Sequence, residues 1–137
     1  LLTALKNAVA RGVAIDLVVS HVVDQRLVNL AQRSYYTELL EAGVRLHRYR
    51  DRLLHAKNVS IDGRIAVIGS SNADVRSFML NAEISLILHD EASAGPLADV
   101  QRGYIRRSDR LLLQEWRDRP RVSRFCENLA RLVSPLL

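Results

Sequence analysis

Apolar positions along this chain switch between a helical period and a two-residue period, and the switches predict alternating helices and strands. Leu1, Leu2, Leu5 and Val9 recur at helical spacing ahead of Gly12, which predicts a helix over 1–10 closed by a glycine stop. The run 13–19 is rich in Val, Ile and Leu and reads as a buried strand. Asp24 is placed to cap a helix reaching about Ala42, with Gly43 ending it. Residues 44–49 alternate as a strand should. Residues 54–61 and 64–69 form two further strands joined at Asp62-Gly63, a strong hairpin dipeptide. A strand over 83–88 follows, then helices over 96–115 and 122–132. A βαβ order followed by hairpin strands predicts an α/β layer fold with a mixed sheet, as a single domain over 1–137.

Composition narrows the picture. The 137 residues suffice for one core, and the 48% hydrophobic content excludes a disordered tail. The net charge of +5 points to anionic partners, phospholipid headgroups or nucleic acid. Lys6 and Lys57 are the only lysines among the twenty basic residues. The arginine excess is read as genome composition, and it makes Lys57 conspicuous. Cys126 is the sole cysteine, so neither an intrachain disulfide nor a cysteine zinc site can form. No apolar run reaches the ~18 residues of a membrane span and no signal peptide is visible. The chain opens mid-helix at Leu1 without an initiator methionine, and reads as a fragment of a longer protein.

Chemistry concentrates in His55-Ala-Lys57-Asn-Val-Ser-Ile-Asp62 and Gly69-Ser70-Ser71-Asn72. Two residues apart on a strand, His55 and Lys57 share a face, with Ala56, Asn58 and Ser60 on the other. An imidazole beside an ammonium suits a phosphate diester: the ring attacks or shuttles a proton while the cation holds a phosphoryl oxygen. The Gly-Ser turn ends the neighbouring hairpin strand, where Ser70 and Asn72 are candidate donors to phosphate oxygens. A catalytic histidine also needs an orienting partner on its second ring nitrogen, and Glu83 is the candidate. Asp62 is explained by the turn alone, with a catalytic role as the alternative. His21, His47 and His89 lack a lysine two positions on and read as structural or surface groups.

Written HxKxxxxD followed by GSxN, these residues are the signature of the phospholipase D superfamily. The chain resembles the C-terminal half of bacterial cardiolipin synthases of that type. Asn72-Ala-Asp74-Val-Arg76-Ser77, Asn81-Ala-Glu83 and the tail from Glu115-Trp116 through Glu127 to Pro135-Leu-Leu137 carry the resemblance further; Ser71 and Ala82 depart from it. It implies a phospholipase D-like α-β-α sandwich and a transfer of phosphatidyl groups through a phosphohistidine. It also implies His55, Lys57, Asp62 and Glu83 as catalytic residues, Lys57, Ser70 and Asn72 as phosphate ligands, and no metal or other cofactor. By the same resemblance Glu83 is the partner of His55, and His55 is the acid/base of this half, with the nucleophile in a missing N-terminal half. The implied partners are phosphatidylglycerol or a related anionic phospholipid, a membrane surface, and that missing half or a second copy of the chain; nucleic acid is not the expected partner. The implied place is the bacterial inner membrane, peripherally for this domain.

Two other readings stay open: a nuclease or phosphodiesterase formed by pairing two single-motif chains, and a non-catalytic module that uses the motif to hold phosphate. In the tail, Val122, Phe125, Leu129, Leu132 and Val133 fall on one helical face, with Arg121, Arg124 and Arg131 off it. That stripe is expected to pack on the domain core. The alternative is a basic amphipathic helix lying on an anionic bilayer. Trp116 is expected in the core, with an interfacial anchor as the alternative.

Overall fold

The computed structural model describes residues 1–72 and 81–133. In chain order the elements are α1 (Leu2–Ala10), β1 (Asp16–Ser20), α2 (Arg26–Arg33), α3 (Tyr36–Glu41), β2 (Arg45–Tyr49), β3 (Asn58–Ile61), β4 (Ile65–Gly69), β5 (Ser85–Leu88), α4 (Glu91–Arg106), β6 (Ser108–Leu111), α5 (Leu113–Arg117) and α6 (Arg121–Val133). They fall into two compact units, one comprising Leu1–Leu54 and Ser108–Leu137, the other His55–Arg107. Asp74, Arg76 and Ser77 of the family-like run, and Pro135 and Leu137 of the tail, lie outside the described residues.

The first unit is built on a mixed sheet in the order β1-β2-β6. β1 runs parallel to β2, with Leu17 opposite Leu46, and β6 pairs antiparallel to β2, with Leu111 opposite Leu46. Gly43 makes the parallel step possible. It sits at φ +96° and lets Val44 N–H bond back to the Leu39 carbonyl at 3.0 Å, ending α3 and turning the chain into β2. Val19, Tyr36, Leu39, Val44, Leu46, Leu111 and Trp116 form the buried core, with Leu2, Leu5 and Val9 of α1 packed against it.

The helix expected from Asp24 to Ala42 is two helices. Gln25, not Asp24, occupies the N-cap position. The Ser34 hydroxyl donates to the Ala31 carbonyl at 2.6 Å, and Tyr35 N–H bonds to the Gln32 carbonyl at 3.2 Å, so the last turn tightens and the helix stops. The break turns Tyr36 and Leu39 into the core. The expected helix over 96–115 is also wrong at both ends. Asp90 accepts from Ser93 N–H at 2.8 Å as the N-cap, and α4 starts at Glu91, ahead of Pro96. The Ser-Asp-Arg-Leu run that was to continue it forms β6 instead. Pairing with β2 and burial of Leu111 against the core outweigh a weak helical preference.

The tail helix reverses the expected orientation. Glu127 and Ala130 are the buried positions of α6, while Val122, Phe125, Leu129 and Leu132 are 73%, 68%, 55% and 77% exposed. The apolar stripe therefore does not pack on the core. What holds α6 down is charge: Glu127 accepts from Arg33 Nε at 3.0 Å and from Arg119 Nη2 at 2.9 Å, and Arg131 donates to Glu38 at 2.7 Å. Trp116 is a core residue, as expected, lying 5.3 Å from the Tyr36 ring with the Arg119 guanidinium 4.0 Å from its centroid.

His47 is buried and meets Asp16 at 2.7 Å, while Arg45 grips the same carboxylate at 2.7 and 2.5 Å. The Arg45 guanidinium chiefly, opposed by partial burial and reinforced by His47, brings the Asp16 carboxyl down to about 2. A carboxyl depressed below its unfolded value contributes stability above that value, about 3.9, and loses it as pH falls towards the folded one. Asp16→Asn is therefore expected to lower the melting temperature slightly at pH 7, by the ~1 kcal/mol or less of a solvent-accessible pair. Near pH 2 the variant and parent converge; an equal loss at both pH values would show that the charge is not responsible.

The second unit is an antiparallel sheet in the order β3-β4-β5, with α4 packed on it. The hairpin predicted at Asp62-Gly63 is present, with φ +52° and +68° at its two central residues. Both values are left-handed, as a tight hairpin turn requires, and Asp and Gly are residues that tolerate them.

Candidate active site

β3 begins at Asn58 rather than Leu54, so His55 and Lys57 stand on the extended segment leading into it. Pairing nonetheless reaches Lys57, whose carbonyl accepts from Gly69 N–H at 2.9 Å. That bond fixes the backbone under the motif. His55 and Lys57 point together: Lys57 Nζ lies 2.7 Å from His55 Nε2 and donates to the His55 carbonyl at 3.0 Å. Asn58 and Ser60 face the other way, as alternation predicts. Ser60 donates to Gln101 Oε1 on α4, and Gln101 Nε2 donates to Asn58 Oδ1 at 2.6 Å. Gln101 carries no sequence signal that would have marked it as the anchor behind the motif strand.

The short His–Lys distance has a chemical consequence. An ammonium has three donors and no acceptor, so Nε2 must offer its lone pair and the ring proton resides on Nδ1. Once Lys57 turns away from Nε2, for example to an anionic oxygen, that lone pair can take a proton or attack an electrophile, with the cation still beside it. The His55 ring is exposed and Lys57 half-buried, so a substrate can reach both.

Gly69 and Ser70 close the other side of the hairpin. A Cβ on Gly69 would sit 2.7 Å from Ser85 Oγ and 3.0 Å from the Ile84 carbonyl, so only glycine lets β4 and β5 approach. Beyond it, Ser70 N–H donates to the Ile84 carbonyl at 3.1 Å and Ser70 Oγ accepts from Ile84 N–H at 3.1 Å. The Ser70 hydroxyl donates to the Glu83 carboxylate. A hydroxyl has one proton, and here it is committed to Glu83. Gly69→Ala is expected to cost about 1–3 kcal/mol by overpacking and to displace Ser70 and Glu83 together. Urea unfolding checks it; a variant as stable as the parent would show that the approach is not tight.

The structure thus assembles two pairs, His55–Lys57 and Ser70–Glu83. Among the described residues no hydrogen bond joins Glu83 to His55. Asn72 is exposed, two residues past Ser70. Asp62 is at the far end of β3, roughly 16 Å from Lys57 at about 3.3 Å per residue. Its visible work is in the turn. Among the described residues no group of three or more His, Cys, Asp or Glu side chains could hold a metal ion. Of the other histidines, His47 is tied to Asp16, and His21 N–H extends the β1–β2 pairing by bonding to the Tyr49 carbonyl at 2.8 Å.

The chain is 44% identical over 134 residues to cardiolipin synthase A of Proteus mirabilis, covering 98% of this chain and 28% of that protein. It is 44% identical over 137 residues to cardiolipin synthase A of Serratia proteamaculans, covering 100% and 28%. The chain therefore spans little more than a quarter of the length of these relatives. Among solved structures it is similar to Nuc of Salmonella typhimurium, a phospholipase D family member, with a TM-score of 0.70 and 18% identity over 81% of this chain and 72% of that one. That likeness establishes a phospholipase D-like fold. Residues 1–102, which run through both compact units, match the family described as cardiolipin synthase, PLD-like domain, and the chain belongs to that family.

Proposed function

We propose that this chain, as one phospholipase D-like domain over 1–137, supplies half of the active site of a bacterial cardiolipin synthase. The observation that carries the proposal is the His55 Nε2–Lys57 Nζ pair at 2.7 Å, on the segment that leads into β3. The 44% identity to proteins named cardiolipin synthase A favours a lipid substrate.

In the proposed reaction the histidine of the other half attacks the phosphorus of one phosphatidylglycerol. A P–N bond forms, the P–O bond to the headgroup glycerol breaks, and His55, entering this step as the imidazolium with Lys57 turned from Nε2 to the phosphoryl oxygens, gives its Nε2 proton to the leaving glycerol. A hydroxyl of a second phosphatidylglycerol then attacks the phosphohistidine. His55, with its Nε2 lone pair restored, takes the hydroxyl proton as the new P–O bond forms and the P–N bond breaks. Lys57 stabilises the charge on the phosphoryl oxygens throughout, with Asn72 as a further donor. Glu83, preset by Ser70, is the proposed carboxylate that steadies the imidazolium. Asp62 serves this scheme through the hairpin that holds the motif strand.

The chain carries one such histidine–lysine pair and the scheme needs two, so the other comes from the remaining length of the protein or from a second copy. The proposed setting is the bacterial inner membrane. The test is conversion of phosphatidylglycerol to cardiolipin and glycerol. A protein joining this chain to the rest of its natural length is expected to turn over, and the isolated monomeric chain is not. Turnover by the isolated monomer would sink the half-site account, and metal-independent DNA cleavage by a stable dimer would favour the nuclease.

A further inference from the structure

Helix α6 buries a polar face and presents an apolar one. At 100° per residue, Val122, Phe125, Leu129 and Leu132 form one stripe, while Ser123, Glu127, Ala130 and Arg131 form the opposite face, which the protein covers. A helix seated only on its own domain would be turned the other way, because burying the apolar stripe is favourable and burying Glu127 requires two arginines to offset it. The neighbouring helix α2 also exposes Leu27 and Val28. Four large apolar side chains, each more than half exposed, form a patch of the kind that marks an interaction surface.

The charges beside the stripe indicate the occupant. Arg121 borders it and Arg124 lies further round on the same side, both exposed. Guanidinium groups flanking an apolar stripe match an anionic bilayer, which accepts them at headgroup depth while the apolar face enters the acyl boundary. We infer that α6 is a membrane-contacting helix that lies in the plane of an anionic phospholipid bilayer, apolar stripe down. The inference deepens the proposed function and rests on it for the choice of lipid.

The test is sedimentation of the chain with vesicles of equal phosphatidylglycerol and phosphatidylcholine, and with phosphatidylcholine alone, without any turnover assay. Binding is expected to the first and to weaken with salt. Phe125→Glu with Leu129→Glu is expected to reduce it by about tenfold or more, and each of Arg121→Gln and Arg124→Gln by about fivefold on the anionic vesicles. Circular dichroism confirms that the variants remain folded; Leu132→Ser, at the most exposed site, substitutes for the double variant if it does not. No binding, or binding untouched by these changes, would overturn the inference and show the stripe to be covered by the rest of the polypeptide. A chain that dimerises, and becomes monomeric in the Phe125 and Leu129 variant without having bound vesicles, would assign the stripe to a second copy instead. Absence of vesicle binding by the parent chain, with His55-dependent turnover retained in detergent by the protein of full natural length, would refute this surface alone; vesicle binding without any His55-dependent turnover would refute the catalytic reading alone.

Discussion

Replacing His55 with alanine, in a protein that joins this chain to the remaining length of its relatives, is expected to abolish phosphatidyl transfer. The imidazole is the only group of the pair that can move a proton at the reacting oxygen. Lys57 is a donor without a free acceptor, and Ser70 has its one proton committed to Glu83. Loss of a positioned acid or base removes about 10²–10⁴-fold in rate. The variant should still fold, because the ring is exposed and, among the described residues, its side-chain hydrogen bond is to the half-buried Lys57 ammonium two residues on. The measurement is kcat for cardiolipin formation beside a melting curve. Turnover within a few-fold of the parent would remove His55 from the chemistry and leave the motif as a phosphate-holding element.

Glu127→Ala is expected to cause the largest loss of stability. The carboxylate is fully buried and holds α6 against the first unit through Arg33 and Arg119, the latter only 12% exposed. Removing it leaves a nearly buried guanidinium without its counter-ion, a cost of about 3–5 kcal/mol. For a chain of this size that lowers the melting temperature by roughly 10 °C or more. Salt should not reproduce the effect, since buried pairs are screened little. Glu127→Gln keeps the shape and part of the hydrogen bonding and should fall between. A melting temperature within about 2 °C of the parent in the alanine variant would show that apolar contacts, not this charge cluster, seat the helix. The destabilised variant should also lose vesicle binding, because the stripe is displayed only while Glu127 is held inside.

These two predictions draw on different sources. The site was legible because its signals are local. The spacing of His55 and Lys57 places both side chains on one side of an extended segment whatever else the chain does. Asp62-Gly63 dictates a left-handed turn, and Gly69-Ser70 a close approach to the next strand. The hairpin that assembles these groups needs only residues 55–85. Asp90 with Ser93 was equally local as a cap signal, and Pro96 distracted from it.

Apart from the start of α4, the elements that differ from expectation depend on partners distant in sequence. Residues 108–111 become a strand because β2 offers an edge and a buried place for Leu111, information sixty residues away. Ser34 breaks a helix to deliver Tyr36 to Trp116. The orientation of α6 is the sharpest case. Periodicity shows that a helix has an apolar face, but it does not say which face the protein will cover. That choice was made by Arg33 and Arg119 converging on Glu127. By itself, then, the amino-acid order determined the pairing of His55 with Lys57, the hairpin at Asp62-Gly63 and the family to which the chain belongs, since each rests on short-range signals. Only the tertiary structure decided that Ser70 holds Glu83, that Asp62 stands apart from the reacting pair and that the tail displays its apolar stripe, because each depends on long-range partners competing for the same buried space or the same proton.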